Sequence, residues 1–375
     1  MKIRNDSLEI AKMVGDWLKK EVAPTCNEYD ARDEFPQEFY DGMVEMGLNV
    51  MAVPEEYGGL GLDAITMTLI AEQLGRYECG LGSAVGANAS ATHLINHGAN
   101  EEQKKIFYDF LLEGGWCAFG LTEPNAGSNA AAIKTSFKED GDDYVINGSK
   151  CFITNGGIAS VYVVMATIDP NLKGKGIACF MVERDREGLS IGKQEDKLGI
   201  RLSNTTEVIF DHVRIPKTHM IAGPGEGYKL ALKTLTESRV HVAAMGTGLA
   251  ARAVDEAIAY AKVRKQFDQP ISALQSIQFK LADMAMQVEA ARCLTYHAAD
   301  LIDRKEDYAK FSSMAKCFGA DTAMKVSVEA LQVLGGFGYM KEYPMEKLLR
   351  DAKILQIYEG SNEIQRLIIA SLLLH

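Results

Sequence analysis

Three observations place this 375-residue chain in a mainly α, α+β fold class: helical periodicity at both ends, strand-like alternation in the middle, and glycine-rich breaks between them. We read residues 1–115 as a helical N-terminal domain, 116–225 as a β domain and 226–375 as a C-terminal helical bundle. The length supports such a division, because single cores stop growing near about 250–300 residues.

The elements follow in order. Leu8, Ile10, Ala11, Val14, Trp17 and Leu18 trace one face of an opening helix, and helices separated by turns continue to about residue 112. At 53–61 a proline break and three glycines predict a tight irregular turn. From 116 to 224 the period shortens. Tyr144-Val145-Ile146, then Asn147-Gly148, then Ser149 to Thr154 predict a hairpin turning at Asn147-Gly148. Runs at 161–168, 177–182 and 207–215 extend it toward a barrel or small sandwich. Gly223-Pro224-Gly225-Glu226-Gly227 marks a boundary. Beyond it, helical patterns broken near 267–272, 303–307 and 335–344 predict an antiparallel bundle of three or four long helices.

Composition narrows the function. A 47% hydrophobic, 24% charged chain is globular, and no run of about 18 apolar residues offers a membrane span. The N-terminal residues lack the apolar stretch of a signal peptide, so the expected location is cytoplasmic. A net charge of −11 with scattered basic residues argues against a nucleic-acid partner. The seven cysteines, odd in number and without a CxxC, read as reduced, packed thiols. His93 and His97 lie four apart without a third ligand, so no metal is expected. Phosphate-loop, dinucleotide-fold, HExxH and GxSxG patterns are absent, which lowers nucleotidase and hydrolase readings.

One carboxylate stands out. Glu359, between Tyr358 and Gly360 at the edge of an apolar stretch, is poorly hydrated and disposed to hold a proton, the property a carbon-acid base needs. Its spacing alone better fits a solvated loop carboxylate. The loop Leu121-Thr122-Glu123-Pro124-Asn125-Ala126-Gly127-Ser128-Asn129 fits either an anion or ring-edge cradle or an ordinary turn.

Seven motifs in order carry a resemblance over the chain to about residue 370: 54–61, 121–129, Cys151-Phe152-Ile153-Thr154-Asn155-Gly156, Lys197-Leu198-Gly199-Ile200-Arg201, Arg264-Lys265-Gln266-Phe267, Gln332-Val333-Leu334-Gly335-Gly336 with Arg350-Asp351-Ala352-Lys353, and Tyr358-Glu359-Gly360. They resemble the acyl-CoA dehydrogenase family, in particular its short/medium-chain or butyryl-CoA dehydrogenase-like members. The resemblance implies a homotetramer with FAD held between the β domain and the bundle. It also implies dehydrogenation of an acyl-CoA thioester to the trans-2-enoyl-CoA, or the reverse reduction, with electron transfer flavoprotein as redox partner. Glu359 matches the base that takes the α proton while a hydride leaves the β carbon for flavin N5.

By the same resemblance Phe119, Leu121, Thr122, Phe152 and Thr154 line the flavin ring. Ser128 meets the pyrophosphate region or the CoA thiol arm, and Ser361 and Glu363 flank the flavin. Arg264, Phe267 and Gln275, with Gln332, Gly335 and Gly336, match dinucleotide contacts made across a subunit boundary. Arg239, Tyr358 and Gly360 fall on the substrate side. The chain departs from the family pattern at several positions. Ser238 stands where some relatives carry the base, and Glu237 beside it is expected to point elsewhere, as a solvated or CoA-facing group. Thr236, Asn129, Asp268 and Ser371 replace a frequent aspartate, aspartate, glycine and arginine. Ser83, Ala84 and Ala87 fit either a roomy acyl pocket for branched or aromatic groups or close helix packing. The alternatives carried forward are an acyl-CoA oxidase and a flavin-free CoA-thioester binding or assembly protein.

Overall fold

Helical and strand periodicities resolve into an α, β, α order in a computed structural model that describes residues 3–374. Six helices open the chain: α1 (Asn5–Trp17), α2 (Cys26–Arg32), α3 (Gln37–Glu45), α4 (Ala64–Tyr77), α5 (Cys79–Gly98) and α6 (Glu101–Leu112). Side-chain caps fix their starts. Asp63 accepts the Thr66 N–H, Glu78 accepts the Gly80 N–H, and Asn100 with Gln103 forms a reciprocal capping box. α1 buries Ser7, Ala11, Val14 and Gly15, with Leu18 beyond its end. Leu8, expected on that face, is 46% exposed, because the polar Ser7 takes the inner position and bonds Thr66 of α4.

Eight strands follow: β1 (Trp116–Gly120), β2 (Ser136–Asp140), β3 (Asp143–Thr154), β4 (Ala159–Thr167), β5 (Ile177–Glu183), β6 (Leu189–Gln194), β7 (Thr205–Pro216) and β8 (Met220–Ala222). They form one sheet ordered β6-β7-β3-β2-β4-β5-β8, with β1 added parallel to β4. The hairpin expected at Asn147-Gly148 is displaced. β2 and β3 pair Asp140 with Asp143, so the turn is Gly141-Asp142, with Gly141 at φ 64°. Asn147-Gly148 lies inside β3, where the register against β7 shifts between Ile146 and Gly148. Gly148, at φ 144°, packs so closely on Thr135 that a Cβ would come within 2.6 Å of its Oγ1. Asn147 Oδ1 accepts the His212 N–H at 2.9 Å. An Asn-Gly pair serves a bulge as well as a turn, since both use positive φ.

The C-terminal part contains α7 (Glu226–Val263), a short hairpin β9 (Lys265–Gln266) and β10 (Gln269–Pro270), then α8 (Gln275–Asp303), α9 (Ala309–Leu334), α10 (Met345–Leu355) and α11 (Asn362–Leu374). α7 is the shared wall, touching α4, α5, α8 and α9. Its small residues allow this: a Cβ on Gly248 would lie 1.9 Å from the Glu72 carbonyl oxygen, so α4 and α7 meet backbone to backbone. Met245, Leu249, Val254, Val326 and Val333 fill the adjoining core, each side chain contributing roughly 1.5–3 kcal/mol by burial.

A buried charge cluster then fixes α10. Lys347 Nζ lies 2.7 Å from Glu78 Oε2 and 2.6 Å from Asp351 Oδ2, and Asp351 Oδ1 accepts the Ile200 N–H. Through it α10 is tied to the start of α5 and to the β region, which sets where the following Tyr358-Glu359-Gly360 segment lies. Six cysteines are buried and Cys293 is exposed. Among the described residues no helix is long and apolar enough to cross a membrane.

Candidate active site

Glu359 occupies the turn between α10 and α11 at φ 56°, followed by Gly360 at φ 84°. Two left-handed residues in succession reverse the chain, and the second must be glycine: a Cβ there would meet Gln365 Nε2 at 2.7 Å. Buried donors hold this turn. Lys316 of α9 donates to the Gly360 carbonyl at 2.8 Å and to Asn362 Oδ1 at 3.0 Å, while Gln365 donates to the carbonyls of Glu359 and Gly360 at 3.1 and 2.9 Å. With both carbonyls engaged, the Glu359 N–H has no acceptor among the described residues.

The Glu359 side chain faces a cleft of about 250 Å³ bounded by α5, β1, the 121–128 loop, β3, the start of α7 and α11. Ser238 Oγ donates to Glu359 Oε2 at 2.7 Å. Burial raises the Glu359 carboxyl above the usual carboxylate range, against the opposing effects of the Ser238 hydrogen bond and of the Arg239 and Lys316 charges. Arg239 is 5% exposed, and its Nε is buried without a partner. A cleft with a carboxyl of raised proton affinity, the Arg239 cation on its wall and an uncommitted backbone donor can take a proton from a weak carbon acid and stabilise the resulting negative charge.

The opposite wall is a rigid loop. Lys150, fully buried on β3, donates to the Leu121 carbonyl at 3.2 Å and to Glu123 Oε1 at 2.7 Å, and Glu123 also accepts the N–H groups of Lys134 and Thr135. Burial works to raise the Glu123 carboxyl, but the Lys150 charge and these hydrogen bonds outweigh it and hold it low. Cys151 N–H donates to the Thr122 carbonyl, setting Thr122 beside β3. Phe152 stands at φ 57° with its side chain 64% exposed on the cleft wall. A large aromatic turned outward by left-handed backbone presents a free ring face, which suits stacking against a flat heterocycle.

Ten residues singled out in the sequence line this cleft: Phe119, Leu121, Thr122, Ser128, Phe152, Thr154, Arg239, Tyr358, Glu359 and Gly360. Ser361 sits beside it, its Oγ accepting the Ile364 N–H at 3.4 Å, and Glu363 faces solvent. Arg264, Gly335 and Gly336 line a separate, open pocket of about 560 Å³. Phe267, Gln275 and Gln332 are not among its lining residues; Phe267 is 83% exposed and both glutamines are exposed. Phe267 and Asp268 make the β9–β10 turn with φ of 51° and 62°, so aspartate takes a conformation that glycine favours.

Glu237 differs from expectation. It is neither solvated nor in the cleft: its side chain is 12% exposed, bonded to His97 Nε2 at 2.7 Å and to the Tyr308 hydroxyl at 2.8 Å in a second cavity. Of the three small residues of α5, Ala87 lines the cleft, Ser83 meets the Tyr358 hydroxyl at 3.2 Å, and Ala84 is packed in the core. The cleft also uses Ser90, Tyr228, Leu232, Leu235, Ile364 and Ile368. Leu232, Leu235 and Arg239 follow helical spacing on α7, a legible signal; Lys316 gave none.

Comparison with known proteins agrees along the whole chain. The acyl-CoA dehydrogenase N-terminal, middle and C-terminal domain models match residues 4–115, 118–213 and 225–374. An acyl-CoA dehydrogenase of Bacillus subtilis (strain 168) is 44% identical over 100% of this chain and 99% of its own length. Butyryl-CoA dehydrogenase of Megasphaera elsdenii superposes with a TM-score of 0.97 at 39% identity, covering 100% of both chains. A chain solved in work on the electron transferring flavoprotein of Acidaminococcus fermentans also superposes at 0.97, with 41% identity over 100% of this chain and 99% of that one. The chain belongs to the acyl-CoA dehydrogenase family, a family of FAD-dependent oxidoreductases.

Proposed function

We propose that Glu359 is the base of an acyl-CoA dehydrogenation yielding the trans-2-enoyl-CoA, and that FAD lies between the 121–128 loop, Phe152 and the Glu359 turn. One observation carries this reading: a carboxyl with a raised proton affinity faces a free aromatic ring across a cleft walled by small and apolar side chains. The residues fit a flavin. Phe152 offers the stacking face, Thr122 and Thr154 offer hydroxyls, and the Gly127 side of the loop leaves open space, with nothing within 4 Å of a Cβ placed there. Bound there, FAD supplies the acceptor for the β-carbon hydride.

The chain's own residues do the proton chemistry. The free Glu359 N–H is a donor for a thioester carbonyl, stabilising enolate-like charge as the α proton leaves. Acyl-CoA entering the cleft expels water from around Glu359, raising its proton affinity further. Leu232, Leu235 and Arg239 line the α7 side of the entrance, where the pantetheine arm is expected.

A second copy of the chain completes the dinucleotide site in this proposal. Val263, Phe267 and Tyr339, each more than 70% exposed, lie on the segments that carry the open pocket of Arg264, Gly335 and Gly336. Apolar exposure on that scale marks an interface, here that of a homotetramer. The structural neighbour from the electron transferring flavoprotein work supports electron transfer flavoprotein as redox partner.

The test is anaerobic titration of the purified holoprotein with a panel of acyl-CoA thioesters, reading flavin bleaching. Bleaching is expected in the wild type and a loss of at least about 10²-fold in rate in Glu359→Gln. Equal bleaching in the variant overturns the assignment.

A further inference from the structure

Ser238 separates the active-site cleft from a second, larger cavity of about 610 Å³, which Ser238 and Ser90 both line. Ser90 also lines the cleft, so two small side chains divide the spaces. We propose that Ser238 is a positioning residue that relays the abstracted α proton from Glu359 into this side cavity, giving the base a route to solvent that bypasses the occupied cleft. The inference rests on the reading of Glu359 as the base.

The geometry supplies the switch. Ser238 Oγ carries one hydrogen and has two acceptors in reach, Glu359 Oε2 at 2.7 Å and the Leu235 carbonyl at 3.1 Å. When Glu359 is ionised, the hydroxyl donates to the carboxylate. When Glu359 holds the α proton, its O–H donates to Oγ and the serine hydrogen turns to Leu235 or to cavity water. Both states are fully hydrogen-bonded without movement of a heavy atom. In transfer the Glu359 O–H bond breaks, a new Oγ–H bond forms, and the original serine proton passes to water in the cavity. The carboxylate is regenerated, and no electrons move.

The surrounding charges favour that direction. Facing Glu359 within the fold are Arg239 of α7 and Lys316 of α9; burial lowers Lys316 to about 8, so at neutral pH both are charged and neither takes its proton. The acceptors lie across Ser238. From α5, His93 lines the side cavity with no hydrogen-bond partner among the described residues, and burial keeps it neutral. Beyond it His97 bridges Glu237 and Lys233, at 2.7 and 3.2 Å. His241 of α7 is bonded to the Gly82 carbonyl. Asp63 ahead of α4, Asp303 at the end of α8, and Lys305 and Tyr308 between α8 and α9 complete the charged and titratable rim. A cavity of this size with several polar partners accommodates water.

The experiment uses holoprotein with a bound α-deuterated acyl-CoA and follows deuterium appearing in solvent beside the rate of flavin bleaching. In Ser238→Ala the ratio of solvent exchange to flavin bleaching falls by about tenfold or more, the worth of one hydrogen bond to a charged group, whatever the change in bleaching itself. Ser238→Thr keeps exchange and Ser238→Val, isosteric with the threonine variant but without its hydroxyl, does not, which keeps the test decisive if the alanine variant folds poorly. Measured without substrate, the titration of Glu359, read as the pH-dependent difference in unfolding midpoint from Glu359→Gln, moves to higher pH in Ser238→Ala. Wild-type exchange rates in Ser238→Ala and Ser238→Val overturn the relay and leave the base assignment standing. Wild-type bleaching in Glu359→Gln instead overturns the base itself.

Discussion

Replacing Lys347 with methionine tests whether the buried charge cluster is what holds α10, and therefore the active-site turn, in place. Lys347 is 6% exposed, Glu78 0% and Asp351 1%, so all three groups are out of water. At separations of 2.7 and 2.6 Å and an effective dielectric constant of about 20, each attraction is worth about 6 kcal/mol. Desolvation of three ions offsets most of that gross figure. Methionine keeps the volume and removes the charge, leaving two carboxylates buried without their cation. The expected loss is about 3–5 kcal/mol, the range for breaking a buried pair from one side. Glu78→Gln should cost less, because the Lys347–Asp351 pair remains. The sign of the pH effect is also fixed. Burial already raises the Glu78 carboxyl, and without Lys347 it rises further. The Lys347→Met deficit should therefore shrink as pH falls and the carboxyl becomes neutral. Urea unfolding of both variants at fixed protein concentration, at pH 7.5 and 5.5, measures this. A Lys347→Met deficit below about 1 kcal/mol, or one that does not change with pH, refutes the reasoning.

Two further outcomes follow from the same physics. The Lys150→Met substitution leaves Glu123 buried without its cation and the Leu121 carbonyl without its donor. The 121–128 loop should loosen and FAD affinity fall by about tenfold or more, seen as flavin release on gel filtration, with a stability loss of about 3 kcal/mol. His241 is pushed down to about 4 by burial, so the unfolded chain takes up a proton near pH 6.5 that the folded chain refuses until about pH 4. Stability contributed by this group is present above pH 6.5 and lost as pH falls through that window, by roughly 3 kcal/mol. His241→Gln should flatten this part of the pH–stability curve, and an unchanged acid slope contradicts it.

The cleft was legible where chemistry shows in residue type and spacing. Glu359 beside Gly360, Phe152 two residues before Thr154, and Arg239 on α7 come from a span of more than two hundred residues in sequence and meet in one cavity. What stayed hidden is the support beneath them. Lys150, Lys316 and Lys347 carry no signal in the sequence, because nothing local marks a lysine for burial; only the fold places a carboxylate or carbonyl against each ammonium. Asn147-Gly148 was misplaced for a related reason. The pair fixes a backbone sign, and whether that sign makes a turn or a bulge depends on the strand alongside, which is chosen by β7.

Glu237 and Ser238 show the same dependence at the site itself. Adjacent on α7, they project about 100° apart, so one contacts Glu359 and the other a histidine in the second cavity. Ser238, read in the sequence as a vacancy where a base is missing, becomes a hydroxyl that serves the base from behind. A carboxylate at 238 would crowd a second charge against Glu359 and raise the proton affinity of both. A hydroxyl there donates to one protonation state and accepts from the other. The departure from the alternative family pattern and the service to Glu359 are thus one feature, and its consequence is that the base need not wait for the cleft to empty before it resets.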